Sequence, residues 1–425
     1  MRTTATAPES ASDEEMSEPI RVLHFADVHL GAENYGPADP ERGVSGRVGD
    51  SLRRMDEMID FARDSDVDLV IFAGGAFHSR SPNSTYQREF AGRVLALSRL
   101  APTVMLIGHL DSPPHSGRAS TLEIYQTLRV PNIWVAQDYQ ARLITTKRGE
   151  AVVGAAPFLS RGRLLADVAK RGLSPDEQTA AAARIIAERL QALAAQADEL
   201  AADDTPRLLC GHFSVGGAEF SSEQEAMLGQ DVPVALASLA DARWDYVALG
   251  HRHRHQALSA AAPPVVYSGG LERIGFAQAN EAKGFCWVEV ARGAADLRFV
   301  ELPARKLLAL RVDCRDADNP TAAVLAELKR HELEGVVLRL EIRLTPESEA
   351  QLKDKVIQTE LRRAGVFHTA AISKDVERPV RTRLGVNPEG LTELELLERY
   401  FDARAVDAGR REALLRLARE IVAGE

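Results

Sequence analysis

Asp27 and His29 stand two apart, His109 follows Gly108, His212 follows Gly211, and His251 and His253 flank Arg252 behind Gly250. A carboxylate with five imidazoles is the donor set of a transition-metal site: neutral imidazole suits zinc, manganese, iron or nickel, and the carboxylate supplies negative charge. Taken singly each motif is weak, because an Asp-x-His pair or one His after a strand is commonly a hydrogen-bonded loop residue. Together they share a position. Each comes directly after a short apolar run rich in β-formers, and Gly74-Gly75-Ala76-Phe77-His78 follows another. In α/β sheets the carboxyl ends of strands open on one crevice, so residues two hundred positions apart can meet there.

The runs that must position them are Ile20–Ala26, Leu69–Ala73, Thr103–Ile107, Ile133–Ala136, Val152–Ala155, Arg207–Cys210, Tyr246–Leu249, Val265–Tyr267 and Phe285–Val290. Several are almost continuously apolar, as strands covered on both faces are, and helical patterns over Ser51–Asp64 and Tyr86–Ser98 alternate with the first of them. Ser174 and Glu177 form a capping box with Pro175 at the first helical position. The helix behind it, to about Ala202, would run about 40 Å, with Ile185, Ile186, Leu190, Leu193 and Ala197 on one face. Past Leu302 the texture changes to strands Leu307–Val312 and Val336–Arg343, a helix over Thr321–His331 and a second helix near Ser348–Arg363. Lys374–Pro388 is polar and turn-rich and reads as a linker. Thr392 and Glu395 then cap a helix bearing Leu394, Leu397 and Phe401. A second helix from about Gly409 repeats Leu414, Leu417, Ala418, Ile421 and Val422 at three-four spacing.

Composition narrows the class. The 425 residues hold 52 Lys+Arg against 62 Asp+Glu, a net charge of −10, with 45% hydrophobic and 27% charged residues. Such a chain buries a sizeable core in two or three domains, and its acidity argues against holding nucleic acid by bulk charge. No run is long and apolar enough for a membrane helix, and the start lacks an apolar signal core, so no membrane association and a cytoplasmic location are expected. Cys210, Cys286 and Cys314 are too few and too scattered for a disulfide framework.

The stretches Leu23-His-Phe-Ala-Asp27-Val-His29-Leu-Gly, Ala73-Gly-Gly-Ala-Phe-His-Ser, Ile107-Gly-His-Leu-Asp-Ser-Pro, Gly211-His-Phe-Ser-Val, Tyr246-Val-Ala-Leu-Gly-His-Arg-His and Tyr267-Ser-Gly-Gly-Leu-Glu-Arg resemble the calcineurin-like metallophosphoesterases. Within them they are most similar to SbcD-type DNA repair nuclease subunits, strongly over about residues 20 to 300 and more weakly beyond. The resemblance implies a manganese-dependent exo- and endonuclease acting on DNA as a homodimer with an SbcC-like coiled-coil ATPase. It also implies a four-layered α/β sandwich with a small α+β capping domain and a C-terminal helical hairpin. The expected divisions are a disordered tail over 1–19, a nuclease domain over 20–302, a cap over 303–376, a linker over 377–390 and an ATPase-binding hairpin over 391–425. On that hairpin, Leu394, Leu397, Phe401, Leu414, Leu417 and Ile421 are the expected partner surface.

Carried over residue by residue, the resemblance implies a first metal on Asp27, His29 and His253. The second would take His212, His251 and an Asn whose place is held by His109. The carboxylate that bridges both metals should stand at Gly75, and the phosphate-facing catalytic His falls on Leu110, so no catalytic residue is expected. Two divalent cations about 3.5 Å apart repel by on the order of 20 kcal/mol at an effective dielectric of 20 unless anions bridge them. What remains suits a single manganese or zinc, or no metal, with His109, His212 and His251 forming a three-histidine set that zinc accepts. The leading expectation is therefore a nuclease-type subunit with weak or lost activity. The alternatives are an active phosphodiesterase with a single metal or an atypical pair, and a non-catalytic subunit that senses DNA ends; separately, His109 could slip by one position into the catalytic role, which would spend the only replacement ligand. Restoring the carboxylate by Gly75→Asp together with His109→Asn is expected to raise the metal content. His78, His115 and His255 read as loop or rim residues, His24 as structural, and Arg252 and Arg254 as solvated surface.

Overall fold

The computed structural model describes residues 18–39, 43–112, 118–165, 174–219, 232–259, 261–377 and 391–423. The tail over 1–17, His115 and the 378–390 part of the expected linker lie outside the described residues. The chain divides into two compact units. One comprises the chain to Leu310 with Glu332–Leu340 and Leu361–Ala371; the other comprises Arg311–His331, Glu341–Glu360 and Ile372 onward.

The larger unit carries two six-stranded sheets. The first runs in the order Ala294–Glu301, Gly284–Ala291, Ile20–Phe25, Leu69–Phe72, Thr103–Leu106, Ile133–Ala136; the second runs Gln256–Ser259, Val265–Tyr267, Tyr246–Gly250, Arg207–His212, Gly149–Ala156, Gln140–Thr146. Apolar residues on both faces of the inner strands explain the layering. In Leu69–Phe72, Val70 and Phe72 face a core shared with Met55 and Phe90 of the helices Gly46–Asp64 and Ser84–Leu100. Leu69 and Ile71 face the opposite way, into a core shared with Val153, Leu208 and Ala248 of the second sheet. On the far side of that sheet Leu209 meets Leu190 and Leu193 of the helix Pro175–Leu200. Helix, sheet, sheet and helix make four layers, as the period-two burial of each strand requires.

The four strands that carry the metal-type residues are inner strands, each paired parallel to at least one neighbour: Phe25 opposite Phe72, Val104 opposite Ile71, Leu249 opposite Gly211 and Gly250 opposite His212. Their carboxyl ends therefore open on one side of the sandwich. The helices start earlier than the apolar periodicity suggests, because Ser45 and Asn83 cap them through Arg47 N and Tyr86 N. Ser174 and Glu177 form the reciprocal capping box with Pro175 behind it.

A three-stranded sheet follows in the order Leu307–Asp313, Val337–Leu344, His368–Val376. Two expectations are corrected here. The helix near Ser348–Arg363 is two helices, Pro346–Gln351 and Asp354–Arg363, separated where Leu352 turns extended at φ −71° and ψ 127°. Lys374–Val376 ends a strand rather than opening a linker, and the adjacent Glu377 N donates to Leu344 O at 2.8 Å. The helices Glu393–Ala403 and Ala408–Ala423 form the terminal hairpin. Among the described residues no helix is long and apolar enough to cross a membrane.

Candidate metal centre

The strand ends meet through backbone first. Asp27 N donates to Gly74 O and His29 N to Gly75 O, both at 2.9 Å, so the loop after Ile20–Phe25 lies against the loop after Leu69–Phe72. Asp27 and His29 sit at φ 52° and 44°, and His251 at φ 98°, conformations that L-residues seldom adopt and that persist where the surroundings over-determine them. His251 is held by its own amide, which donates to Asp27 Oδ2 at 2.9 Å.

Two trios result. Asp27, His29 and His253 bring one donor atom each within 4.8 Å of one another, and so do His109, His212 and His251. These are the two sets named from the sequence. In the first, Asp27 Oδ1 lies 3.5 Å from His29 Nε2. That oxygen and both ring nitrogens of His29 are buried without a hydrogen-bond partner, the condition of atoms shaped to meet a cation. Burial would raise the Asp27 carboxyl, but the contact with His29 and the nearby His253 and His212 rings hold it well below the usual carboxylate range.

In the second trio His212 Nδ1 donates to Ala73 O at 2.7 Å, which leaves its Nε2 as a lone pair. His109 Nδ1 lies 3.4 Å from that Nε2 and 3.3 Å from His251 Nδ1. Burial, reinforced by His251, lowers His109 far below the ordinary histidine range and brings His212 to about 4. Burial and His29 likewise depress His253. These rings are neutral at pH 7, and His109 and His212 keep lone pairs turned toward each other. An imidazole Nδ1 and an Asn Oδ1 are bonded to the same Cγ, so His109 presents a donor at the reach of the Asn that the resemblance implies. Its Nδ1 faces the other two histidines.

Gly75 has φ +82°, and a Cβ built there would lie 2.6 Å from Asp27 Oδ1 and 2.9 Å from Asp27 Cα. The position is shaped for glycine, which offers no ligand atom. Leu110 is half-buried and has no polar atom. Sequence reasoning missed Asp111, a buried carboxylate whose Oδ2 accepts from Gly75 N and Gly108 N at 2.8 and 2.9 Å and whose Oδ1 accepts from Ala76 N at 3.0 Å. The signal was Gly108-x-x-Asp111, an acidic residue able to reach back three positions to an amide. Gln278 was also missed; its Nε2 donates to His253 Nδ1 at 3.0 Å.

The remaining histidines divide as follows. His24 is buried between Tyr246 Oη at 2.9 Å and Leu249 O at 3.2 Å. His255 donates to Tyr267 O and stacks on Phe299 at 4.1 Å between centroids. His78 is exposed, its ring 6.1 Å from that of His29. Arg254 is exposed and pairs with Glu219, but Arg252 corrects the expectation of a solvated side chain: it is fully buried beside Tyr267.

The donor atoms of each trio fit a divalent cation. Residues 20–255 match the calcineurin-like phosphoesterase family. The SbcD subunit of the SbcCD nuclease from Bacillus subtilis is 28% identical over 281 residues, 64% of this chain and 67% of the relative. The DNA double-strand break repair protein Mre11 of Haloferax volcanii is 25% identical over 327 residues, 76% of this chain and 61% of the relative. The corresponding SbcD subunit from Escherichia coli K12 is 27% identical over 263 residues, 60% of this chain and 59% of the relative. The chain thus spans between 59 and 67% of the length of these relatives. With a match across residues 20–255 and the donor trios at the carboxyl ends of its strands, the chain belongs to the calcineurin-like phosphoesterase family.

Proposed function

We propose that this chain is the nuclease-type subunit of an SbcCD-like DNA-processing complex whose hydrolytic centre is reduced, so that cleavage of DNA phosphodiesters is weak or lost while the architecture is kept. The observation that carries this is Gly75: its φ of +82° and the 2.6 Å approach of a Cβ to Asp27 Oδ1 leave no room for a bridging carboxylate. A bound divalent cation would polarise the phosphoryl oxygen and acidify a water. The protein's own part is to hold the His212 ring through Ala73 O, the His251 backbone through Asp27 Oδ2 and the loops through Asp111. Leu110 supplies no proton to the leaving oxygen, a contribution typically worth 10²–10⁴ in rate.

In this reading residues 20–302 form the nuclease-type domain and 303–376 the cap. The hairpin over 391–425 binds a coiled-coil ATPase, and the cytoplasmic chain works as a homodimer on DNA. The names of the relatives support the DNA-repair setting. A second reading, a single-metal phosphodiesterase, is favoured by the unpartnered Asp27 Oδ1 and His29 nitrogens. Manganese-dependent digestion of linear duplex DNA separates them. A rate indistinguishable from that of His251→Ala supports the reduced centre, and a robust rate abolished by His251→Ala overturns it.

A further inference from the structure

The two trios are unequal. Nitrogens bound to zinc at about 2.0–2.1 Å with tetrahedral angles lie about 3.3–3.4 Å apart, whereas right angles at the same bond length bring them to about 2.9 Å. His109 Nδ1 stands 3.4 Å from His212 Nε2 and 3.3 Å from His251 Nδ1. Hydrogen bonding does not explain both contacts, because His212 Nε2 can only accept and one proton on His109 Nδ1 cannot be directed at two nitrogens. A divalent cation would be held by His109, His212 and His251 and would account for both contacts.

His253 is differently placed. Gln278 is fully buried, and its Oε1 accepts from Ile274 N at 3.1 Å, which orients the amide so that Nε2 donates to His253 Nδ1 at 3.0 Å. The proton of a neutral His253 is then on Nε2. Ligation through Nδ1 would displace the Gln278 hydrogen bond, and ligation through Nε2 would move the proton to Nδ1, where it faces the Gln278 amide donor.

We propose that this chain binds one tightly held zinc-type cation on His109, His212 and His251, and that Gln278 withholds His253 from completing a second site beside it. The proposal rests on the absence of a bridging carboxylate from the reading above. Its test measures metal content instead of hydrolysis, so the two can fail separately.

The full chain, stripped with chelator and dialysed against Zn²⁺ or Co²⁺ alone, is expected to retain one cation per chain. The Co²⁺ form should show the intense visible absorption of tetrahedral coordination. His109→Ala should lower zinc affinity by about 100-fold or more and abolish that absorption, while His253→Ala keeps one cation. His109→Asn, which retains a donor on the same Cγ, should fold like the parent by thermal melting and lose zinc preference over manganese. Gln278→Glu, whose carboxylate can only accept from His253, should raise the content toward two. Two tight cations in the unmodified chain, none, or one lost by His253→Ala but kept by His109→Ala would each overturn the proposal. A content fixed at one in folded Gln278→Glu would overturn the role of Gln278.

Discussion

The amide of Gly75 donates to Asp111 Oδ2 at 2.8 Å, and the same oxygen accepts from Gly108 N at 2.9 Å. One buried carboxylate thus joins the loops after two parallel strands and sets where Gly75 and His109 stand. Asp111→Asn keeps the shape but replaces one acceptor oxygen by an amide nitrogen, which must then face a backbone N–H. The expected cost is about 1–3 kcal/mol in chemical denaturation, the penalty of a buried donor left unmade, together with weaker metal retention. A denaturation midpoint equal to the parent's would show that Asp111 does not hold these loops.

Gly75→Asp addresses the missing bridge directly, and the structure reverses the expectation formed from sequence. A Cβ meets Asp27 Oδ1 at 2.6 Å and its Cα at 2.9 Å, on backbone at φ +82°. Strain of this kind costs on the order of 1–3 kcal/mol, before any carboxylate repulsion with Asp27. Gly75→Asp, alone or with His109→Asn, is therefore expected to lower the melting temperature without adding a second tight metal. Stoichiometric uptake of two metals by a variant as stable as the parent would show that the loop can rearrange.

The inner strands were legible because burial on both faces writes a continuous apolar run, as in Leu69–Phe72. The outer strands were not: Gln140–Thr146 and Ala294–Glu301 expose much of their length, so polar side chains hide the strand. The two donor trios could be read from residues placed after strands. Asp111 left only the short Gly108-x-x-Asp111 spacing, and Gln278 left none, since it acts on the ring of a residue 25 positions earlier. Arg252 resembled a surface residue because its burial beside Tyr267 depends on a strand twelve or more residues later.

His24 makes the acid limb of stability testable. Its Nε2 donates to Leu249 O and its Nδ1 accepts from Tyr246 Oη, a neutral ring that burial lowers to about 3. The unfolded chain takes up this proton near pH 6.5 while the folded chain refuses it until about pH 3. Stability from this residue is therefore full above 6.5 and is lost as pH falls toward 3. His24→Asn keeps a polar atom near Nδ1 but does not titrate. Between pH 7 and 5 its denaturation free energy should fall by about 2 kcal/mol less than the parent's. Parallel pH profiles would sink this assignment.

Leu110→His tests whether the reduced centre lacks only its proton donor. An imidazole there has little to assist unless the nucleophile and phosphate are already clamped by two metals. Manganese-dependent digestion by Leu110→His is expected to stay within about 10-fold of the parent, short of the 10²–10⁴ that a placed general acid contributes. A gain of that larger size would mean that the donor was the only missing part.

The terminal hairpin divides its apolar residues between two roles. Phe401 of Glu393–Ala403 and Leu415 of Ala408–Ala423 are buried, and Leu415 was absent from the stripe read in the sequence. Leu394 and Leu397 are half-buried. Leu414, Leu417, Ile421 and Val422 remain 39, 56, 72 and 53% exposed. Helices this short gain most of their stability by packing an apolar face, so an open stripe along Ala408–Ala423 points to a surface that a partner helix covers. Removing residues 391–425 should leave the melting temperature of the chain within a few degrees, by the scale on which about 1 kcal/mol shifts a midpoint. Co-purification with the proposed coiled-coil ATPase should be lost, and Leu417→Glu with Ile421→Glu should reproduce that loss in the full chain. A large fall in melting temperature on truncation, with association retained by the double variant, would assign the hairpin to this chain's own stability instead.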